Sequence, residues 1–303
     1  MSKAILIKTG QAALSLLALL ALTFSLVRFT GDPAFFLLPP DATPEMEARL
    51  REELGLDQPV VLQFFMYVGD VLSGDLGTSF RSRVPVTDLI IQRIPATLTM
   101  GAAALFLTLI VSIPLGIYAA YWRGSPLDAV ARFVAALGQS VPDFWLGLIL
   151  ILVFAVFLGI LPSGGYGSPQ HLVLPAVTLA FASIAGLVRL LRSSMIEVLG
   201  SDYVAFHRMK GLPEGQILWK HALRNAGLTT LSFAGVITAG LFTGSVLVET
   251  VFVWPGVGRL FIEGVNFRDF ALVQALMLLF GTAYIVINLL VDVLYTVLNP
   301  RLR

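Results

Sequence analysis

The sequence predicts an all-α integral membrane protein with six transmembrane helices, both termini cytoplasmic, and a small helical extracytoplasmic loop region. Three observations carry this. Of 303 residues, 57% are hydrophobic and 13% charged, against roughly 45–50% and about 25% in soluble chains. The excess is gathered into runs that suit a bilayer core of about 30 Å, which takes roughly 20 helical residues to cross. Lysine and arginine are also distributed unevenly between those runs. Together these exclude a disordered chain, a disulfide scaffold and a soluble enzyme. A formal charge of +1 excludes a strongly basic binder of nucleic acid. The absence of cysteine excludes thiol catalysis and cysteine-ligated metals.

The first span covers about residues 6–27, behind Lys3 and Lys8. A basic start before an apolar run also describes a signal peptide. This run is long for one, and Leu22-Thr23-Phe24-Ser25 has no small-x-small cleavage site, so residues 1–28 are expected to stay as the first helix. Residues 29–96 follow as the outer loop region. Thr43-Pro44-Glu45 combines a capping hydroxyl, proline at the first helical position and an acid in the first turn. Met46, Leu50 and Leu54 then recur every four residues, Gly55 can end the helix, and a second amphipathic stretch runs from 59 to 72. Two readings remain open: a helical cap packed on the bundle, or a docking surface for a soluble partner. On the second reading Glu45, Arg49 and Glu53 are the contact residues.

The remaining spans cover about residues 98–121, 144–161, 172–191, 228–248 and 272–297, within a core of residues 97–300. With the amino terminus inside, six of the eight outside cations lie in the long first loop: Arg28, Arg49, Arg51, Arg81, Arg83 and Arg93. The positive-inside rule is weak in long loops, so the short loops decide the orientation. Tyr118, Tyr121, Trp122 and Trp145 gather near span ends, as interfacial anchors do. The largest inner loop is 192–225, where Arg192, Arg208, Lys210, Lys220 and Arg224 outnumber Glu197, Asp202 and Glu214. Gly211-Leu212-Pro213 interrupts its helical pattern and predicts helix, sharp turn, short helix. On composition alone, an ordinary positive-inside loop fits equally well. At the outer end of span five, residues 249–259 carry two glycines and a proline among apolar residues. They predict a non-helical, partly embedded segment, tolerated where protein or a cavity satisfies its backbone.

Asp143 and Asp292 are read as the acids nearest hydrocarbon, where charge costs about 2.5–3.5 kcal/mol on insertion scales. A cap or structural partner is the first reading for each, and contact with a translocation path the second. Gly240 and Gly244 form a small-xxx-small pair suited to close helix packing.

Ordered motifs along nearly the whole chain resemble the B-type permeases of the dipeptide/oligopeptide/nickel group of bacterial ABC importers. They include Asp41-Ala42-Thr43-Pro44-Glu45, Glu53-Leu54-Gly55-Leu56-Asp57-Gln58-Pro59 and Gly74-Asp75-Leu76-Gly77. Further along come Arg93-Ile94-Pro95-Ala96-Thr97-Leu98, Val141-Pro142-Asp143-Phe144-Trp145-Leu146-Gly147, Asp202-Tyr203-Val204 and Arg208-Met209-Lys210-Gly211-Leu212. His221-Ala222-Leu223-Arg224-Asn225 and the ending Asn299-Pro300-Arg301 complete the set. The resemblance implies a type I ABC importer permease fold in a bacterial cytoplasmic (inner) membrane. It also implies a second, homologous permease subunit, two ATP-binding subunits that carry ATP and Mg, and an extracytoplasmic solute-binding protein. The loop around Gly211 would dock on the ATPase through Asp202, Tyr203, His207, Arg208, Lys210, Gly211, Leu212 and Ile217. Where relatives have Ala-Arg-Ala-Lys-Gly, this chain has His207-Arg208-Met209-Lys210-Gly211, with two small positions made bulky. Members carry peptides, nickel complexes, glutathione or sugars, and peptide is the first expectation here.

Other functions lack their sequence signatures. No G-x-x-x-x-G-K-[ST] nucleotide loop occurs, so ATP hydrolysis is expected on another chain. Neither H-E-x-x-H nor G-x-S-x-G is present, and His171, His207 and His221 fall in loops, so no metal or cofactor is expected in this chain. A self-sufficient secondary transporter, the alternative, predicts inverted repeats and paired intramembrane charges, and neither is visible.

Overall fold

The computed structural model describes residues 2–30, 38, 43–53, 55–243 and 245–298. Helix α1 (Ser2–Thr30) leads to two short helices, α2 (Pro44–Glu53) and α3 (Val60–Ser73). Then come α4 (Val86–Tyr121), α5 (Pro126–Ser140) and α6 (Asp143–Leu150), which continues as a π-helical stretch, Ile151–Phe157. Helix α7 (Pro169–Leu199) is followed by the short α8 (Asp202–Met209). Glu214–Gln216 and a π-helical Ile217–Ala222 run without a break into α9 (Leu223–Thr243). The chain ends through α10 (Val246–Val251), α11 (Val257–Asn266) and α12 (Phe270–Leu298). Among the described residues there is no strand, only an isolated bridge between Thr78 and Pro85.

Five helical stretches are long and apolar enough to cross a membrane: Ile7–Leu26, Val86–Tyr121, Pro169–Leu199, Phe233–Val251 and Phe270–Val291. The predicted third span differs. Helices α5 and α6 meet at 109° and make a sixth crossing only as a bent pair. Gly159, at φ +64°, and Pro162 stop the second limb at Phe157, so it is about 22 Å long at 1.5 Å per residue. The second span begins earlier than predicted, at Val86. Its first turns are buried through Val86 and Ile90 against Val257, Leu260 and Leu272, which outweighs the cost of Pro95 inside the helix.

Helices α4 and α7 form the centre. Met100 and Ala104 pack with Leu174, Leu179 and Ala180 under Phe252 and Trp254. Towards the other end, Ile117 and Ala120 pack with Leu191, Met195, Leu218 and Ala222. Helix α1 lies on α12, where a Cβ at Gly281 would fall 2.4 Å from Leu19 Cδ2.

Helix α2 starts where its capping signals predict. Thr43 caps α2 through its carbonyl and hydroxyl, and Gly55, at φ +61°, follows that helix. Phe64 and Tyr67 of α3 pack on Phe24 of α1 at 5.6 and 5.8 Å between ring centroids. Buried Asp269 ties the loop after α3 to the start of α12, accepting from Ser79 Oγ, the Phe80 amide and the Leu272 amide.

Candidate functional site

The site is the hairpin between α7 and α9. Helix α8 ends because Gly211 adopts φ +75°, a left-handed conformation that costs a glycine little. The Gly211 amide donates to the Arg208 carbonyl at 2.9 Å and the Leu212 amide to the His207 carbonyl at 3.3 Å, both bonds of a Schellman cap. Pro213 then starts the next helix. That second limb is not the short helix of the sequence reading. It runs on through π-helical residues into α9, so the hairpin's second limb and α9 are one continuous helical stretch.

Contacts within the hairpin fix its shape. Arg208 binds Glu214 across the turn with two bonds, at 2.8 and 3.3 Å, and the carboxylate raises the Arg208 pKa. The His207 ring lies 4.4 Å from that of Tyr203 and 4.3 Å from that of His221, with His207 Nδ1 2.7 Å from the Tyr203 carbonyl. Desolvation, then the nearby His207 and Lys220, lowers the His221 pKa. Lys210 Nζ sits 4.4 Å over the Phe206 ring. The outward surface is Tyr203, Phe206, Arg208, Met209 and Lys210, with Met209 78% exposed.

Not every predicted docking residue reaches that surface. Asp202 and Gly211 are exposed, while His207 and Leu212 are half-buried. Ile217 is fully buried and offers no side-chain surface to a partner. Of the two bulky replacements, His207 is taken up inside the hairpin and Met209 faces out.

An ion pair missed in the sequence anchors the base of the hairpin. Arg192 of α7 binds Asp128 of α5 through Nε at 2.5 Å and Nη2 at 2.9 Å, and the Gly124 amide adds a third bond to the carboxylate. Ser125-Pro126-Leu127-Asp128 has the S-x-x-D pattern of a capping box and was the signal available. Arg189 adds a bond to Gln139 at 2.7 Å. At the same end Tyr118 stacks on Trp122, and the Trp219 indole donates to its hydroxyl at 3.4 Å.

Comparison with known proteins places this geometry. Residues 112–303 match the family described as binding-protein-dependent transport system inner membrane component, and residues 1–101 match that family's N-terminal region. The chain belongs to this family. It is the family that the ordered motifs pointed to. Putative peptide transport system permeases of Brucella abortus strain 2308 and Brucella suis biovar 1 are 40% identical, over 100% of this chain and 99% of theirs. The glutathione transport system permease GsiC of Salmonella typhi is 41% identical over 95% of each chain. Two inward-facing crystal forms of the MetNI methionine ABC transporter share the fold, with TM-scores of 0.57 and 0.55. Each is 18% identical and covers 70% of this chain and 96% of the matched one.

The other predicted residues of this inner membrane component are scattered. Asp143 is the first residue of α6, where a negative charge suits the helix dipole. Asp292 lies within α12 and Glu53 ends α2; the side chains of both, and Gly244, lie outside the described residues. So do Asp41, Ala42, Leu54 and residues 299–301 of the quoted motifs. Gly240 is exposed, and a Cβ there would meet nothing within 4 Å, so it makes no close packing contact among the described residues. Glu45 and Arg49 are both exposed on α2. Among the described residues no three His, Asp or Glu side chains converge on a metal site.

Proposed function

We propose that this chain is one translocation subunit of an ATP-driven, binding-protein-dependent importer whose solute is a peptide. It does no covalent chemistry. Its spans form half of a path completed by a second, homologous permease subunit, and separate ATPase subunits with ATP and Mg drive alternating access. The hairpin docks on one of them through Asp202, Tyr203, Arg208, Lys210 and Gly211, with Phe206 and Met209 as apolar anchors; His207 and Leu212 support the turn.

The observation that carries this reading is the build of the hairpin. A capped turn is braced by Arg208–Glu214, anchored at its base by Asp128–Arg192, and continuous with α9. Such an element transmits a partner's closure as rigid-body movement. Both termini and the hairpin face the cytoplasm, and α2 with α3 forms an outer cap where Glu45, Arg49 and Glu53 meet the solute-binding protein. Names of relatives at about 40% identity support peptide as the solute. Asp143, Asp292, Gly240 and Gly244 serve the path or the facing subunit.

Reconstitution tests the reading. The purified chain alone in liposomes neither hydrolyses ATP nor moves peptide. Adding the second permease, the ATPases and the binding protein gives ATP-dependent uptake. Uptake by the isolated chain contradicts the proposal.

A further inference from the structure

We propose that Glu249 is a positioning residue for the outer mouth of the path: its carboxylate latches the loop 252–256 and α11 onto α4, against a strained backbone at Val253. The inference rests on reading the chain as a translocation subunit. Glu249 is fully buried. Its Oε1 accepts from Thr97 Oγ1 at 2.7 Å and Ser245 Oγ at 2.8 Å, and its Oε2 accepts from the Arg259 amide at 2.9 Å. The Val257 amide donates to Thr97 Oγ1 at 2.9 Å, so the Thr97 proton is committed to Glu249. Each of these contacts on the carboxylate is therefore a donor, so both of its oxygens are held as acceptors. The Arg259 guanidinium is turned to Glu263 and to the Val253 carbonyl. The amino terminus of α11 supplies the favourable dipole instead.

The latch is tight. A Cβ at Gly256 would fall 2.3 Å from the Glu249 carboxyl carbon, and one at Gly258 2.7 Å from Val246 Cα. The buried Trp254 indole donates to the Ala96 carbonyl at 2.9 Å, closing the loop over α4. Between these fixed points Val253, a β-branched residue, is held at φ +54°. Such a conformation persists only where its surroundings over-determine it. For stability alone, apolar groups of similar shape in place of a buried polar group and its partners are often as good or better. A buried carboxylate and a strained residue at one joint mark an element with two arrangements, closed as seen here and released when the mouth opens.

The chain has no cysteine, so a single introduced thiol is the one label site on this subunit, read on its own band after the subunits are separated. Met100→Cys places it fully buried, in the cluster that includes Phe252 and Trp254. The assay is the rate at which maleimide labels that thiol in the complete transporter in liposomes without ATP. Glu249→Gln and Thr97→Val each speed labelling by about tenfold, equivalent to about 1.4 kcal/mol. Thr97→Ser, which keeps the hydroxyl, labels at the parental rate. Val253→Gly slows labelling, because glycine relieves the strain of the closed form. Parental rates in both Glu249→Gln and Thr97→Val, or faster labelling in Val253→Gly, overturn the proposal. If Glu249→Gln fails to assemble, the Thr97 pair and Val253→Gly decide. Failure of the translocation-subunit reading appears separately, as absent ATP-dependent uptake in the parent.

Discussion

Replacing Arg192 by alanine removes the main partner of a carboxylate whose side chain is 2% exposed. Breaking a fully buried pair from one side costs about 3–5 kcal/mol. Here Asp128 keeps its Gly124 amide and a 3.9 Å contact with the exposed Arg132, and Arg192 itself is 21% exposed. The expected loss is therefore about 2–3 kcal/mol, below the fully buried range. Asp128→Asn costs less, about 1–2 kcal/mol, because the freed guanidinium rehydrates and neutral bonds replace charge-assisted ones. A double-mutant cycle on the unfolding free energy of the detergent-solubilised chain measures the coupling, expected at about 1–2 kcal/mol for contacting charges. A coupling below about 0.5 kcal/mol, the additivity limit for independent sites, refutes the claim that this pair anchors the hairpin base. So does an Asp128→Asn variant that costs more than Arg192→Ala.

Gly211→Ala forces a left-handed residue with a side chain and should cost about 1–2 kcal/mol of hairpin stability; ATPase stimulation falls while membrane insertion, read by carbonate extraction, is unchanged. His221, next to His207, Tyr203 and Lys220, has a pKa below its ordinary 6.5. The folded hairpin thus binds this proton less readily than the unfolded chain. Its stabilisation is complete above pH 6.5 and lost as pH falls from there towards the lowered value. ATPase stimulation should drop over that range in the parent and much less in His221→Gln. Deleting residues 43–55 should weaken delivery from the binding protein, measured as its apparent affinity, and leave ATPase docking unchanged; equal loss of both speaks against an outer role for α2.

The spans were legible because hydropathy and length act locally, and so were the caps at Thr43 and Gly211, whose signals lie within a few residues. The α5–α6 bend was not, although Gly159 and Pro162 were visible as stops. Asp128 and Arg132 hide α5 from a search for uninterrupted apolar runs. Within the site, Ile217 looks like an exposed anchor because local sequence does not say which side of a helix meets distant chain. Glu249 escapes notice as an intramembrane acid because predicted span five ends one residue before it; its partner Thr97 is 152 positions away. Arg192 counts as a loop cation in the sequence although Asp128, 64 residues earlier, is its partner. Charges satisfied across such separations leave no periodic trace.

The claim on which the account turns is that the Gly211 hairpin meets the ATPase on the inner side of the membrane. Met209→Cys, at a position 78% exposed in a chain otherwise free of cysteine, tests it in intact cells carrying the whole transporter. A short bifunctional thiol reagent that crosses membranes should join the introduced thiol to an ATP-hydrolysing subunit, while an impermeant maleimide added outside leaves it unlabelled. Labelling by the impermeant reagent, or no cross-link in a transporter that still takes up solute, contradicts the account.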